Sequence, residues 1–399
     1  MILHEGMYEM RNTKQHNSNV SSSENSLKKT VEPLLAWYDG GRRILPWREE
    51  PTPYHVWISE IMLQQTRVEA VKPYYDRFMR QLPDIQSLAG IEEEKLLKLW
   101  EGLGYYNRAR NLKKTAEKIV IEYDGQMPEH YEELVKLPGI GSYTAGAISS
   151  IAFHHAVPAV DGNVLRILAR LRLDERDILE TKVKKAVEAE LDEVIPVERP
   201  GDFNQALMEL GAVVCIPNGT AKCDICPLAG LCLANIENRV SEFPKKSKKK
   251  PRGIEEKTIL IIRDEDKVAL RKRRNKGLLA GMYEFPSMEG KQSAARVIAY
   301  LKSMGVAPLK IEKLPSSKHI FTHKEWHMAG YYIRIDELEH MEPRKELIFV
   351  TPHEIERNYP IPSAFAAYTD FAGIRKHVMT NVSEKGEEHE TVINSDSVL

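Results

Sequence analysis

Apolar residues recur at helical spacing through the first half of the chain, and strand-like runs replace them in the second half. Helical periodicity predicts ten helices, at 27–39, 56–70, 73–80, 92–102, 108–123, 129–136, 144–153, 164–173, 181–194 and 203–214. After Lys257, β-branched runs predict strands at 258–263, 268–271, 326–335 and 347–350, with helices at 292–303 and 364–377. The pattern predicts an α+β chain, in which an all-α domain precedes a small α/β domain.

Composition divides the 399 residues further. We expect a disordered N-terminal segment (1–26), a helical domain (27–236), a basic linker (237–254), a second domain (255–378) and an acidic flexible tail (379–399). The linker is either a solvated tether or a segment that follows a phosphate backbone. The net charge of −1 decides nothing about nucleic acid. Because we find no membrane-spanning apolar run and no signal peptide, we expect a cytoplasmic protein.

The stretch from Leu137 to Thr144 predicts a tight turn between two helices. Pro138 ends the first helix, while Gly139 and Gly141 can adopt positive φ angles. Free N–H groups at the start of the second helix could bind a DNA phosphate. An ordinary corner between two helices is the alternative interpretation, and Asp161, twenty residues further on, makes it less attractive.

Several further residues are candidates for chemistry or binding. Glu60 has three apolar helical neighbours, so it is either a surface carboxyl or a desolvated acid, and spacing alone favours the surface. The segment 42–48, which we expect to be extended, mixes arginines with an exposed-looking Trp47, as in nucleic-acid surfaces. The glycine-flanked tyrosines of 102–106 fit either a wedge into a base stack or a buried turn.

All four cysteines lie close together, at Cys215, Cys223, Cys226 and Cys232. Such crowding points to metal rather than to disulfides, and the spacing suits either a four-iron cluster or a zinc ion.

Six motifs occur together: L-P-W-R (45–48), S-E-I-M-L-Q-Q-T (59–66), W-E-G-L-G-Y-Y (100–106), L-P-G-I-G-S-Y-T (137–144), V-D-G-N (160–163) and the cysteine cluster. In combination they closely resemble the helix-hairpin-helix DNA glycosylases with an iron–sulfur loop, in particular the MutY family, which removes adenine mispaired with 8-oxoguanine. Residues 255–375 resemble that family's degenerate Nudix-type domain. The resemblance implies a monomeric, nucleoid-associated enzyme that acts on duplex DNA carrying 8-oxoguanine:adenine or guanine:adenine mispairs.

The resemblance also implies residue roles. Glu60 matches the catalytic acid, Asp161 the carboxylate that faces the sugar, and Tyr143 and Asn163 the residues that hold the second carboxylate and the reacting centre. Gly139 and Gly141 belong to the DNA-binding hairpin. The adenine pocket corresponds to Arg43, Leu45, Trp47, Arg48 and Val68. Gln65 and Tyr105 match residues that fill the helix around the lesion, with Leu103 and Arg108 beside them. Phe321, Thr322 and His323 match the loop that reads 8-oxoguanine.

The cofactors implied are one [4Fe-4S] cluster on the four cysteines and a structural cation on hairpin carbonyls near Val135 and Ile140. The chain departs from the family in three ways. The first cysteine gap is seven residues where six is usual, so a surface turn within 216–222 should absorb one residue. Thr322 stands where Ser is common, and it keeps the hydroxyl. Helix 292–303 holds no acidic residue, so it cannot bind the magnesium ions of a Nudix hydrolase.

Two alternatives remain at this stage. An endonuclease III-like bifunctional enzyme needs a lysine nucleophile after the hairpin, where this chain has Tyr143. A non-catalytic iron–sulfur DNA-binding protein would have no need of Glu60, Asp161 and a base pocket together.

Overall fold

The computed structural model describes residues 27–217, 219–247, 251–306, 308–335 and 347–374. The expectations for the segment 1–26 and for the acidic tail lie outside this range. No helix in the described part of the chain is both long enough and apolar enough to span a bilayer.

Thirteen helices can be delimited in residues 27–247 apart from residue 218, and strands begin only at Gly253. They are α1 (27–41), α2 (Pro46–Glu49), α3 (Pro53–Leu63), α4 (Val68–Gln81), α5 (Ile85–Gly90), α6 (Glu93–Leu99), α7 (Asn107–Glu122), α8 (Tyr131–Leu134), α9 (Ser142–Ile151), α10 (Gly162–Arg172), α11 (Thr181–Asp192), α12 (Pro200–Val213) and α13 (Leu233–Ile236).

Helix α3 lies at the centre of the first domain. It begins at Pro53, whose fixed φ suits the first helical position, and the Thr52 hydroxyl caps it by accepting from the His55 N–H at 3.2 Å. Every residue from Val56 to Met62 is buried, so this part of α3 has no solvent-exposed face. Helices α4, α7 and α9 pack around it. A second core holds α1, α10, α11 and α12.

The first domain differs from the sequence prediction at the end of α3. The predicted helix 56–70 stops at Leu63, because Gln65 adopts a positive φ of 56° and the chain turns before α4. The segment 42–48 was expected to be extended, but its second half is helical, since Pro46 starts α2. The short helix α5 was not predicted. The Asp84 carboxylate caps it by accepting from the Ser87 N–H at 2.7 Å.

The second domain is a mixed sheet with helices on its two faces. The strands are β1 (Gly253–Asp264), β2 (Lys267–Lys272), β3 (Tyr283–Glu284), β4 (Ser287–Glu289), β5 (Pro308–Ile320), β6 (Lys324–Ile335) and β7 (Ile348–Val350). Their order is β3-β2-β1-β6-β5, with β4 paired to β1 and β7 to β2. β1 and β6 pair in parallel over 253–263, and the other pairs are antiparallel. Helix α14 (Ala294–Ser303) packs on one face and α15 (Pro352–Asn358) on the other.

Two predictions in this domain were wrong. Strand β5 was missed because it is an edge strand with many charged and exposed residues, so it lacks the alternation that marks a half-buried strand. The predicted helix 364–377 is a 3₁₀ turn at Ser363–Phe365 followed by further turns up to Gly373, whose φ is 74°. These turns let both Phe365 and Tyr368 reach the core. Residues 375–377 lie outside the described range.

The linker packs against the first domain as far as it is described. The Arg170 Nε donates to the Phe243 carbonyl at 3.1 Å, and the Ile178 N–H donates to the Lys245 carbonyl at 3.2 Å. Phe243 is buried, with Arg239 and Lys245 on its ring. The stretch up to Ser247 is therefore held against the first domain, and the last two residues of the expected linker, 253–254, already belong to β1.

Candidate active site

A cleft of about 2440 Å³ lies between the two domains, and Glu60, Tyr143 and Asp161 all line it. Pockets for small molecules are typically about 300–1,000 Å³. The cleft is therefore large enough for a macromolecular substrate.

Glu60 is buried on α3, with 7% of its surface exposed. The Tyr143 hydroxyl donates a hydrogen bond to its Oε2 at 2.5 Å. Burial raises the pKa of Glu60 to about 7, and the charge of Asp161 acts in the same direction. The Tyr143 hydrogen bond and the Arg48 charge act to lower it. The surface interpretation of Glu60 was wrong, because the residues that bury it come from other helices and cannot be read from its own helical neighbours.

Asp161 immediately precedes α10 and caps its N-terminus. Its Oδ1 accepts from the backbone N–H groups of Asn163 and Val164 at 2.8 and 2.9 Å, and its Oδ2 accepts from Asn163 Nδ2 at 2.7 Å. Burial raises the pKa of Asp161, whereas these hydrogen bonds and the Arg166 charge lower it. The same contacts fix the position of the carboxylate at the edge of the cleft.

Tyr143 and Asn163 each hold one of the two carboxyls. Asn163 binds Asp161, as the resemblance implied. The Tyr143 hydroxyl contacts the other carboxyl, that of Glu60. The Met208 sulfur lies 3.5 Å from the same hydroxyl. Tyr143 therefore acts directly on the protonation of Glu60.

Arg166 connects Asn163 with the cysteine loop, and sequence reasoning did not single it out. Its Nη2 donates to Asn163 Oδ1 at 2.9 Å and to the Gly211 carbonyl at 2.8 Å, while its Nε donates to the Cys215 carbonyl at 2.8 Å. Its position four residues after Gly162, on the buried side of α10, was the available signal. A continuous set of hydrogen bonds thus runs from Asp161 to the first cysteine.

The expected pocket wall lies in the cleft, but its charged residues are paired. Arg43, Leu45, Trp47, Arg48 and Val68 all line the cleft. Glu209 on α12, which sequence reasoning missed, accepts from Arg43 Nε at 2.5 Å and from Arg48 Nη2 at 2.9 Å. Trp47 is buried against Tyr75, with ring centroids 5.3 Å apart. Its predicted exposure is therefore wrong, because its indole supports the wall instead of standing free.

Two loops with left-handed residues meet beside the cleft, which Gln65 and Leu103 line and Tyr105 does not. Gln65 has a φ of 56° and Tyr105 a φ of 48°, and Tyr105 is 48% exposed. Leu103 is buried beside them. Arg108 joins the loops, because its Nη1 donates to the Gln64 carbonyl at 2.7 Å and its Nη2 to the Leu103 carbonyl at 3.1 Å. Arg108 is itself buried, so it supports these loops rather than presenting a charge at the surface.

The hairpin between α8 and α9 has the predicted backbone at Gly139 but not at Gly141, whose φ is −97°. Gly139 has a φ of 77°, and a Cβ there would lie 2.7 Å from the Cβ of Asn111, so only glycine fits. Gly141 precedes α9, which has no side-chain cap and so keeps its first N–H groups available for an anion. Among the described residues, nothing donates a hydrogen bond to the backbone carbonyls of Val135 and Ile140.

The four cysteines line one small cavity of about 30 Å³. No group of three His, Cys, Asp or Glu side chains in the described ranges is arranged to bind a single metal ion. Arg170 Nη1 lies 3.2 Å from the Cys215 sulfur. The lengthened first gap is closed at its base by the Lys222 N–H, which donates to the Val214 carbonyl at 3.1 Å.

Phe321, Thr322 and His323 form the turn between β5 and β6. The Phe321 N–H donates to the Lys324 carbonyl at 2.8 Å, and the Phe321 ring packs on Trp326 with centroids 4.8 Å apart. Thr322 and His323 are exposed. None of the three lines the cleft around Glu60 and Asp161.

Comparison with known proteins gives two family matches. A family described as the HhH-GPD superfamily of base excision DNA repair proteins matches residues 58–196, and a NUDIX domain family matches residues 258–370. The adenine DNA glycosylase of Buchnera aphidicola subsp. Acyrthosiphon pisum is 37% identical over 303 residues, covering 76% of this chain and 85% of that protein. The Mus musculus adenine DNA glycosylase is 36% identical over 362 residues, with coverages of 76% and 70%.

A solved thermostable thymine-DNA glycosylase superimposes on the first domain. Its TM-score is 0.50 and its identity 28%, and the match covers 54% of this chain and 99% of that chain.

The fold and the paired carboxyls define the class: a helix-hairpin-helix base-excision glycosylase followed by a Nudix-like domain. The chain belongs to the adenine DNA glycosylase family, whose members are DNA N-glycosylases of base excision repair. The α+β fold and the family resemblance predicted from the sequence are confirmed.

Proposed function

We propose that the chain is a monofunctional adenine DNA glycosylase that excises adenine opposite 8-oxoguanine or guanine in duplex DNA. The observation that carries the proposal is Glu60: a buried carboxyl with a pKa of about 7 that shares a cleft with Asp161. A carboxyl in this state can donate a proton near neutrality, which an ordinary surface glutamate cannot. The enzyme works as a monomer at chromosomal DNA, and hence at the nucleoid.

The two carboxyls divide the chemistry between them. Adenine is a poor leaving group until its ring is protonated, so Glu60 donates a proton, at N7 by analogy with the family. The bond from the sugar C1′ to N9 then breaks, and its electron pair leaves with the base. Asp161 stabilises the positive charge that develops on the sugar, held in place by Asn163 and the start of α10. Water adds to C1′ and leaves an abasic site.

Adenine must leave the base stack to reach Glu60. Extrusion costs a few kcal/mol and less at a mispair, and Gln65 and Tyr105 fill the space left behind. The wall containing Leu45, Trp47 and Val68 accepts the purine. The Glu209 pairs fix Arg43 and Arg48 at the rim of this wall, so their charges are partly neutralised before the base arrives. The hairpin at Gly139 and Gly141 binds a backbone phosphate.

Cys215, Cys223, Cys226 and Cys232 hold one [4Fe-4S] cluster in this proposal. Four thiols from one short loop that share a cavity are suited to a [4Fe-4S] cluster, which is held by four cysteine thiolates. The bound cluster supplies a structural cross-link for the loop that supports α10. The free carbonyls of Val135 and Ile140 support a cation at the hairpin.

The second domain reads the base opposite adenine through Phe321, Thr322 and His323. Thr322 is exposed at a turn whose base is fixed by packing, as a recognition residue requires. Helix α14 carries no acidic residue, so nucleotide hydrolysis with magnesium is not proposed for this domain.

The defining experiment is a single-turnover assay on duplexes with adenine opposite 8-oxoguanine, adenine opposite guanine, and thymine glycol. We expect release of adenine from the first two duplexes and no release of thymine glycol from the third. Strand breaks should appear only after alkali, and borohydride should trap little protein on DNA, because Tyr143 stands where a lyase has its lysine. Efficient trapping through one lysine would place the chain in the bifunctional class. Mispair binding without any base release would favour a non-catalytic iron–sulfur protein.

A further inference from the structure

The second domain docks on α6 and α7 of the first domain. Met282 is fully buried and belongs to the hydrophobic core of the first domain rather than to that of the sheet. Lys272 pairs with Glu94, and the Tyr283 hydroxyl donates to the same carboxylate at 3.2 Å. Arg110 donates to the Ala280 carbonyl. Apolar burial and charge pairing at one place indicate a fixed contact rather than a loose encounter.

The contact continues at the end of α6 as a polar clasp, which we define as Lys98 and Glu101. Lys98 Nζ donates to the carbonyls of Ile355 and Tyr359 at 3.0 and 3.3 Å, at the C-terminus of α15, where a cation is favoured. It also pairs with Glu101 at 2.5 Å. The Ile361 N–H donates to Glu101 Oε1 at 2.9 Å. The clasp therefore satisfies three backbone groups of the second domain.

Glu101 is followed directly by the loop that presents Leu103 and Tyr105. This loop has little freedom, because a Cβ on Gly102 would lie 2.0 Å from the Tyr74 hydroxyl and Trp100 Nε1 donates to the Gly104 carbonyl at 3.1 Å. A displacement of Glu101 must therefore move the loop. Arg108 carries the displacement onward to Gln64, next to Gln65.

We propose that Lys98 and Glu101 are positioning residues that couple the second domain to the loop 102–106. Through them, the identity of the base opposite adenine changes how the Tyr105 loop engages the helix, and so changes the rate of excision. Neither side chain contacts the reacting atoms. This inference rests on the proposed function, in which the second domain reads that base.

The test compares Lys98→Met and Glu101→Ala in the full-length protein. The matched control is Lys113→Met, because Lys113 is equally buried, donates to the Ala89 carbonyl at 2.8 Å and pairs with Glu117, all within the first domain. Two quantities are measured: the ratio of single-turnover excision rates for 8-oxoguanine:adenine over guanine:adenine, and hydrogen exchange of the amides of 102–106. Thermal melting checks the fold of each variant.

We expect both variants to lower the ratio at least fivefold, mainly through the 8-oxoguanine duplex, and to speed exchange in the loop. Lys113→Met should change neither quantity. Glu101→Gln keeps an oxygen for the Ile361 N–H and should recover part of the ratio. The double variant Lys98→Met/Glu101→Ala should lose no more than the worse single variant, since both act through one contact.

Unchanged ratio and exchange in folded variants would overturn the coupling. An equal loss of both excision rates with no change in exchange would also overturn it and leave a merely structural role. If the wild-type protein showed no preference for 8-oxoguanine over guanine, the proposal that the second domain recognises the base opposite adenine would be contradicted. Faster exchange in Lys98→Met and Glu101→Ala but not in Lys113→Met would still establish the clasp in that case.

Discussion

The Tyr143 hydroxyl donates to Glu60 Oε2 at 2.5 Å, so a residue in the first turn of the helix after the hairpin controls the carboxyl of Glu60 on α3. The two residues are separated by 83 positions in the sequence. The contact brings the DNA-binding hairpin and the acid into one unit, and it opposes the rise in pKa that burial imposes on Glu60.

Tyr143→Phe therefore has a predictable effect on the pH dependence of excision. Removing a hydrogen bond that lowers the pKa of Glu60 should raise that pKa further above 7. The rate should then persist to higher pH, with the midpoint of the alkaline limb moving upward by about one unit. Single-turnover rates from pH 5 to 9 measure the midpoint. A downward movement in a folded variant would contradict the assigned contact.

Asp161→Asn should lose most activity without loss of the fold. Asparagine caps helices about as well as aspartate, so α10 should keep its start. The missing charge should lower single-turnover excision by about 100-fold or more, the scale of other preorganised electrostatic contacts. Circular dichroism and melting give the control. Excision within about threefold of wild type would show that the anion at Asp161 is dispensable.

The metal content tests the cysteine assignment. Purified protein should be yellow-brown, with about four irons per chain. Cys226→Ser should lose iron, lower the melting temperature and weaken DNA affinity, because the loop supports α10 through Cys215 and Arg166. Glu60→Gln serves as the control, since it should keep full iron content. Stoichiometric zinc without iron would contradict the cluster.

Thr322→Ala should narrow the preference for 8-oxoguanine without stopping excision. The oxidised base donates at N7, where guanine only accepts, so a threonine oxygen can accept from it. This contact should favour 8-oxoguanine over guanine by only about 1–3 kcal/mol, because the hydroxyl can also rotate and donate to guanine. Thr322→Ser keeps the hydroxyl and should keep the preference. An unchanged rate ratio in Thr322→Ala would remove Thr322 from recognition.

Local signals were sufficient for the hairpin and for most helices. Gly139 and Pro138 mark the turn because their backbone constraints do not depend on the residues that pack around them. The burial of Glu60 could not be predicted in this way, because the residues that surround it come from other helices. Glu209 was missed for the same reason, since its partners Arg43 and Arg48 lie more than 160 positions away. The packing of Met282 in the first core could not be predicted either, because it depends on two domains that come into contact only after folding.

The order of most helices and the existence of β1, β2, β6 and β7 followed from the sequence pattern, but element ends and the remaining strands did not. The left-handed backbone of Gln65 ends α3, and glutamine is not a residue type from which a left-handed conformation would be predicted. Strand β5 carries charges on an exposed edge, so hydrophobic alternation is absent there. In both cases tertiary contacts outweigh local propensity.

The most direct test of the account is single-turnover adenine release by Glu60→Gln against wild type on an 8-oxoguanine:adenine duplex, measured across pH. The amide cannot supply a titratable proton, so the variant should bind the mispair but release adenine at least about 1,000-fold more slowly. Wild-type rates should fall about tenfold per pH unit above the Glu60 pKa of about 7, and they should also fall at acid pH, where Asp161 becomes protonated. Substantial release by Glu60→Gln, or a wild-type rate that rises through pH 7, would contradict Glu60 as the acid.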